Sequence, residues 1–543
     1  MKTADAIAAI LKEEKVDILF GYPRNAVLEA AAKVDIRTVI VRQERTGLHM
    51  ADALSRMTRG ERMGVFCMQH GPGAENAFGG VAQAYADSVP VLVLPQGYAR
   101  RVAYLPFNFN STREMAGVSK HAEPLTCADE TPNVFRRAFT QLRNGRPQPV
   151  VIELPYDVFD EELSQPLDYR AVVRTRSGPD PEAVRAAARL LVEAKSPVLY
   201  SGQGVHWANA YAELQTLAEL LGAPVMTSIP GKSTFDETHP LALGAGGNGI
   251  PRPVKHFLAK ADVLFGIGCS FTESAFNIAI PTTPRVIHAT NDATDINKSV
   301  RAEHALVGDA QLTLLAMIDA CRALLPDGPR AYDTVAAEIK ALEAEWLAEW
   351  APKRTSNSAP ISPYRVLADL QATVDVANTI ITHDAGSPRD QLTPFWKSSS
   401  PHGYIGWGKS TQLGYGLGLA MGAKLACPDK LCINVWGDAA IGFTGMDFET
   451  AVRERIPILS ILLNNFAMAI ELPIMPEATR KYGATAISGD YAAMARAFGG
   501  HGERVTDPAE IIPAIHRALA QIEAGVPALL EFITEQETIV SKG

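Results

Sequence analysis

LCINVWGDAAIGFTGMDFETAVRERIPILSILLNN, residues 431–465, reads as strand, turn, helix and strand. The first apolar run, Leu431–Trp436, ends in Gly437-Asp438-Ala439-Ala440; the second, Ile458–Leu463, ends in Asn464-Asn465. Short apolar runs closed by Gly, Asp or Asn are strand signals, and a right-handed helical crossover sets two such strands side by side. Asp438 and Asn465, 27 positions apart, then lie just past the carboxyl ends of neighbouring strands. Open α/β sheets bind ligands at that edge. A carboxylate, an amide oxygen and a backbone carbonyl are hard donors. They suit Mg²⁺, which takes few protein ligands and fills its shell with phosphate oxygens and water. Gly437 and the small Ala439 and Ala440 leave room for a diphosphate against the backbone.

The same alternation runs through the rest of the chain. Further strands are expected at Val39–Val41, Gly64–Met68, Val91–Pro95, Val150–Glu153, Val198–Ser201, Val263–Ile267, Val286–Ala289 and Thr379–Thr382. With amphipathic helices between them, the fold class is α/β, built of doubly wound parallel sheets. A polar, proline-bearing stretch at 161–181 and the charged segment Ala336–Trp350 with the Ser- and Pro-containing 355–360 read as linkers. They divide the chain into domains at 1–165, 182–335 and 360–543, each of ordinary size. The stretch 71–94 echoes 442–462: each is a Gly-rich turn, a helix and a strand opened by Val89-Pro90 or Ile456-Pro457. The echo suggests related first and third domains around an unlike middle one.

Composition excludes several classes. The 543 residues are 47% hydrophobic and 20% charged, with a net charge of −9. No basic run tracks a phosphate backbone, so nucleic acid is not an expected partner. Cys67, Cys127, Cys269, Cys321, Cys427 and Cys432 form no CxxC pair, which argues against a zinc site or a disulfide framework. No apolar run reaches the ~18 residues of a membrane span, and the start MKTADAIAAILKEEKVD is an amphipathic helix. A cytoplasmic enzyme is the expectation.

Other segments share a character with 431–465. Phe20-Gly21-Tyr22-Pro23 forms a first loop. Arg42-Gln43-Glu44 precedes a helix carrying His49-Met50-Ala51-Asp52-Ala53. Gly71-Pro72-Gly73-Ala74 with Asn76 follows, and PGKSTFDETHPLALG occupies 230–244. Together these motifs resemble the thiamine diphosphate-dependent enzymes of the acetohydroxyacid synthase, pyruvate oxidase and 2-oxo acid decarboxylase superfamily, over nearly the whole chain. The resemblance implies pyrimidine-binding, central and diphosphate-binding domains in that order. It implies thiamine diphosphate with Mg²⁺ held by Asp438, Asn465 and the Ala467 carbonyl. Glu44 is then the carboxyl that hydrogen-bonds the aminopyrimidine ring. Pro23, Gly73 and Asn76 belong to cofactor-contacting segments, Gly386 and Ser387 to the diphosphate contact. The Thr411 backbone accepts from the pyrimidine amino group, and Leu413 is the bulky residue under the bent cofactor. The family also implies a homodimer or homotetramer with active sites between subunits. An FAD site in the central domain stays undecided.

Departures from the synthase pattern bear on the substrate. Arg24 and Asn25 stand where synthases have glycines, and both are expected to project toward the reacting carbon. Arg24 is either a carboxylate ligand or a surface arginine. Glu471, six residues after Asn465, sits where decarboxylases carry an acid–base glutamate. His70, before Gly71, is either a proton relay or structural. The leading expectation is an acetolactate synthase-like enzyme that decarboxylates a 2-oxo acid and passes the acyl unit to a carbonyl acceptor. Alternatives are a 2-oxo acid decarboxylase and a 2-hydroxyacyl-CoA lyase or oxalyl-CoA decarboxylase. From other classes, Gly403–Ser410 literally matches the P-loop of nucleotide triphosphatases. Gly202-Gln203-Gly204 weakly suggests a NAD-dependent dehydrogenase. A non-catalytic regulator is opposed by intact Glu44, Asp438 and Asn465.

Overall fold

The computed structural model describes residues 1–543 and contains three six-stranded sheets in which every strand pair is parallel. The first holds β1 (Ile18–Gly21), β2 (Arg37–Ile40), β3 (Gly64–Met68), β4 (Val91–Gly97), β5 (His121–Pro124) and β6 (Val150–Pro155), in the order β2-β1-β3-β4-β6-β5. The second holds β7 (Pro197–Ser201), β8 (Val225–Ser228), β9 (Ala242–Gly246), β10 (Val263–Ile267), β11 (Arg285–Thr290) and β12 (His304–Val307), ordered β9-β8-β7-β10-β11-β12. The third holds β13 (Thr379–His383), β14 (Tyr404–Ile405), β15 (Leu431–Gly437), β16 (Leu459–Asn464), β17 (His501–Val505) and β18 (Ala528–Ile533), ordered β14-β13-β15-β16-β18-β17. The α/β fold class expected from the sequence is therefore present. The first and third sheets have the same strand order, which gives the sequence echo a structural basis. The middle sheet has the order of dinucleotide-binding folds, with its switch point between β7 and β10.

Buried parallel strands read as continuous apolar runs, and the central ones do so here: β3, β4, β10 and β15 are almost wholly buried. The register aligns Trp436 with Leu462 and Gly437 with Leu463, so β15 and β16 end together.

One apolar core of 43 residues joins the first and third domains. Its axis is the packing of helix Glu44–Met57 against helix Tyr415–Ala426. Gly418 and Gly422 make that approach possible. A Cβ on Gly418 would stand 2.4 Å from the His49 Cβ, and one on Gly422 would stand 2.3 Å from the Met50 carbonyl oxygen.

One expectation changes. The charged segment expected to be a helical linker is helical, within Asp333–Arg354, but docked rather than free: Trp346 stacks on Phe395 at 4.6 Å and Trp350 packs on Tyr364. The glycine–lysine–serine match at 403–410 is no P-loop. It contains the two-residue strand β14, and no helix follows Ser410 before Tyr415. No helix is long and apolar enough to cross a membrane.

Candidate active site

The carboxyl edge of the third sheet forms one cavity. Gly437 ends β15 and caps helix Asp438–Thr444. Asp438 is buried; its Oδ1 accepts from the Ala439 amide at 2.9 Å and its Oδ2 from the Ala467 amide at 3.1 Å. The Ala467 N–H also donates to Asn465 Oδ1 at 3.0 Å. A carboxylate and an amide oxygen thus converge on one N–H. Burial pushes the Asp438 carboxyl above its ordinary range, with the backbone amides opposing it. A cation beside these oxygens would offset that burial.

Gly386, Ser387, Leu413, Gly437, Ala439, Ala440, Asn465, Ala467 and Glu471 line this cavity with Asp438, so ten of the expected positions meet. Gly386 adopts a φ of +85° and opens helix Ser387–Phe395, whose first amides are natural anion donors. No group of three His, Cys, Asp or Glu side chains able to hold a metal exists in the chain. The single carboxylate with neutral oxygens therefore fits a cation that shares its shell with phosphate. Thr411 is not among the cavity's lining residues.

Sequence reasoning passed over Asp384, which organises the wall. Its Oδ1 accepts from Ala385 (2.8 Å) and Gly414 (3.0 Å), and its Oδ2 accepts from Gly416 (3.1 Å). Burial raises its pKa to about 7 against the pull of these amides. The polar residue between a strand end and the glycine of position 386 was the available signal. Met468 and Ile470, also lining the cavity, carry no sequence signal beyond being apolar.

The other expected residues lie at the carboxyl edge of the first sheet, outside this cavity. Glu44 is the first residue of helix Glu44–Met57, 4% exposed, with Asn76 donating to its Oε2 at 3.3 Å. Burial raises its pKa first of all. Gly73 covers it: a Cβ there would stand 3.4 Å from Glu44 Oε1. Pro23 and Arg24 are exposed after β1, with Arg24 at a φ of +76°. His70 follows β3, its ring 4.6 Å from Tyr98 and 6.3 Å from Tyr156. Gln96 Nε2 donates to its Nδ1 at 3.0 Å, which assigns the ring proton to Nε2. Burial and then the nearby Arg24 lower its pKa, so it is neutral near pH 7.

Asn25 corrects an expectation. Its side chain does not project toward a substrate. Its Oδ1 caps helix Ala26–Lys33 at Val27 N (3.1 Å), and its Nδ2 donates to the carbonyls of Met68 (3.0 Å) and Leu94 (2.9 Å). All its polar capacity goes into tying the ends of β1, β3 and β4 together.

A second cavity of about 580 Å³ lies at the switch point of the middle sheet. Gly204 and Gly268 meet there: the Gly204 N–H donates to the Gly268 carbonyl at 2.8 Å, and a Cβ on Gly204 would stand 2.6 Å from the Gly268 Cα. Arg146 in its wall is paired with Asp292 and Asp295. Arg59, Arg174 and Lys409 line it without a carboxylate in ion-pair range.

The chain matches three families, described as the N-terminal TPP binding domain (residues 1–111), the central domain (184–317) and the C-terminal TPP binding domain (384–532) of thiamine pyrophosphate enzymes. It is 30% identical to the probable acetolactate synthase large subunit of Methanocaldococcus jannaschii, over 98% of this chain and 92% of that one. Identity is also 30% to the acetolactate synthase isozyme 3 large subunit of Escherichia coli K12, covering 96% and 92%. To the acetolactate synthase large subunit of Corynebacterium glutamicum it is 29%, covering 99% and 88%.

Proposed function

Because the chain belongs to the thiamine pyrophosphate enzyme family, we propose that it decarboxylates a 2-oxo acid and transfers the acyl unit to a second carbonyl compound, as an acetolactate synthase-like enzyme. The observation that carries this is the single cavity gathering Asp438, Asn465 and Ala467 with Gly386 and Ser387. Asp438, Asn465 and the Ala467 carbonyl would hold Mg²⁺, and the amide of Ser387 would receive the diphosphate. When bound, thiamine diphosphate supplies the electron sink for cleavage beside a carbonyl.

The residues have separate tasks. Leu413 gives the cavity an apolar wall for the cofactor's rings. Glu44, its pKa raised by burial, presents its carboxyl to the pyrimidine ring. His70 presents a neutral Nε2–H, and Arg24 carries an unengaged guanidinium suited to a carboxylate. Because Glu44 is outside the Asp438 cavity of its own chain, a second copy completes the site, as a homodimer or homotetramer. A second reading, simple decarboxylation, is favoured by Glu471, whose position in the cavity wall lets it deliver a proton. The central cleft, with paired glycines at a dinucleotide-type switch point and unpaired cations, suits a nucleotide diphosphate such as FAD or ADP.

Calorimetry with thiamine diphosphate and Mg²⁺ tests the core of this. Uptake is expected, and Asp438→Asn should weaken it by at least about tenfold. Full affinity in that variant overturns the ligand assignment. A screen of 2-oxo acids, following CO₂ and acyloin, separates carboligation from decarboxylation.

A further inference from the structure

The segment Gly406–Gly414 runs between the two cavities. Lys409 lines the central cleft, and Leu413, four residues on, lines the Asp438 cavity. The segment is anchored at both ends. Trp407 is fully buried, its Nε1 donating to the His383 carbonyl at 3.0 Å, while Arg56 donates to the Gly406 carbonyl at 3.3 Å. At the far end Gln412 donates to the Gly79 carbonyl, and the Gly414 amide to Asp384 at 3.0 Å. Between these anchors, Ser410 and Thr411 are half-buried, and neither side chain has a hydrogen-bond partner. The Lys409 backbone amide makes one long bond, 3.4 Å, to Asp87. Its ammonium has no ion-pair partner, although Arg146, Asp87, Asp295 and Lys298 are close enough to act on it electrostatically.

We propose that a nucleotide diphosphate in the central cleft engages the Lys409 ammonium, fixes the 408–411 strap, and so strengthens thiamine diphosphate binding at Leu413. Lys409 is a positioning residue that acts on the thiamine site through its own backbone. The inference rests on the nucleotide reading of the cleft given above. Its chemistry is ordinary: a lysine is a point-charge phosphate ligand, and a charge left without a partner beside an open cleft gains most when an anion enters. Cleft and strap then share one conformational equilibrium, and the coupling is reciprocal. Thiamine diphosphate must tighten nucleotide binding by the same factor.

The test uses the full chain with Mg²⁺. Thiamine diphosphate affinity is measured by calorimetry alone, with saturating ADP, and with saturating FAD; quenching of flavin fluorescence reports FAD binding independently. An affinity gain of about fivefold or more with nucleotide is expected. Gain with both ligands assigns the effect to the shared diphosphate; gain with FAD alone assigns it to the flavin-bearing source. Lys409→Gln should make the affinities with and without nucleotide equal, and Lys409→Arg, which keeps the charge, should restore the gain. If bound nucleotide leaves thiamine diphosphate affinity unchanged, or Lys409→Gln keeps the full gain, the coupling is refuted while the proposed function stands. If neither ADP nor FAD binds, the nucleotide reading fails with it. Absence of thiamine diphosphate uptake under every condition overturns the proposed function itself. Should the glutamine variant misfold, the wild-type comparison and the arginine variant still decide.

Discussion

Glu44 is held at a cost to the fold. Its folded pKa lies above that of an exposed carboxyl because burial disfavours the anion. Between the unfolded and folded values the native state binds the extra proton, so stability from this group falls as pH rises through that window. Glu44→Gln removes the penalty. Turnover should be lost while the melting temperature at pH 7.5 matches or exceeds that of the wild type; at pH 4 the difference between the two proteins should shrink. A gap that does not change with pH would rule out burial as its cause. Asn25 behaves in the opposite way. Asn25→Ala removes a helix cap and the side-chain donor to the Met68 and Leu94 carbonyls, at about 2–3 kcal/mol. A lowered melting temperature with thiamine diphosphate affinity retained is the expected result. The two residues also mark what a sequence discloses. Glu44, Asp438 and Asn465 are legible because each follows a recognisable strand at a fixed offset. Asn25 is not, because its partners come from β3 and β4, and only the folded sheet brings those carbonyls to it. The place of Asp384 after a strand was visible, but its role was hidden for the same reason: two of the three amides it organises lie 30 and 32 positions away.

At the level of elements, the helix pair Glu44–Met57 and Tyr415–Ala426 is the joint on which the first and third domains meet. Gly418→Ala or Gly422→Ala puts a methyl group into backbone or Cβ atoms of the facing helix, and overpacking of this kind costs about 1–3 kcal/mol. Gly442→Ala is the control. No atom lies within 4 Å of a Cβ there and the residue is helical, so it should be neutral or gain up to about 1 kcal/mol. Thermal melts of the three variants check the contrast, and equal losses would remove the close approach as its explanation. Strands were legible only partly according to their burial: the buried β1, β8 and β18 were not among those expected, although the half-exposed β2 was. The buried runs of β3, β10 and β15 announce themselves, whereas β5, β12 and β17 are half-exposed edge strands with few consecutive apolar residues. The strand β14 has only two residues and is fixed by its neighbour β13, which no local pattern reveals.

For the whole molecule, the placement of Glu44 and Asp438 in different regions of one chain leads to a mixing experiment. Phe443, Met446, Phe466 and Ile470 are exposed near the Asp438 cavity, apolar surface that a second copy would cover in the proposed assembly. Each inactive variant, Glu44→Gln and Asp438→Asn, retains the half that the other lacks. Co-expressed in equal amounts, they should recover about a quarter of wild-type activity, since half of randomly paired dimers are mixed and each mixed dimer has one intact site. No recovery would locate the whole site within a single chain.

The shared core of the first and third domains also has a consequence for biosynthesis. The apolar side of helix Glu44–Met57 leaves the ribosome long before helix Tyr415–Ala426 exists to cover it. At translation rates of about 5–20 residues per second, the intervening 357 residues take roughly 20–70 s to make. Throughout that interval the nascent chain carries an uncovered greasy stripe, a natural landing place for a chaperone.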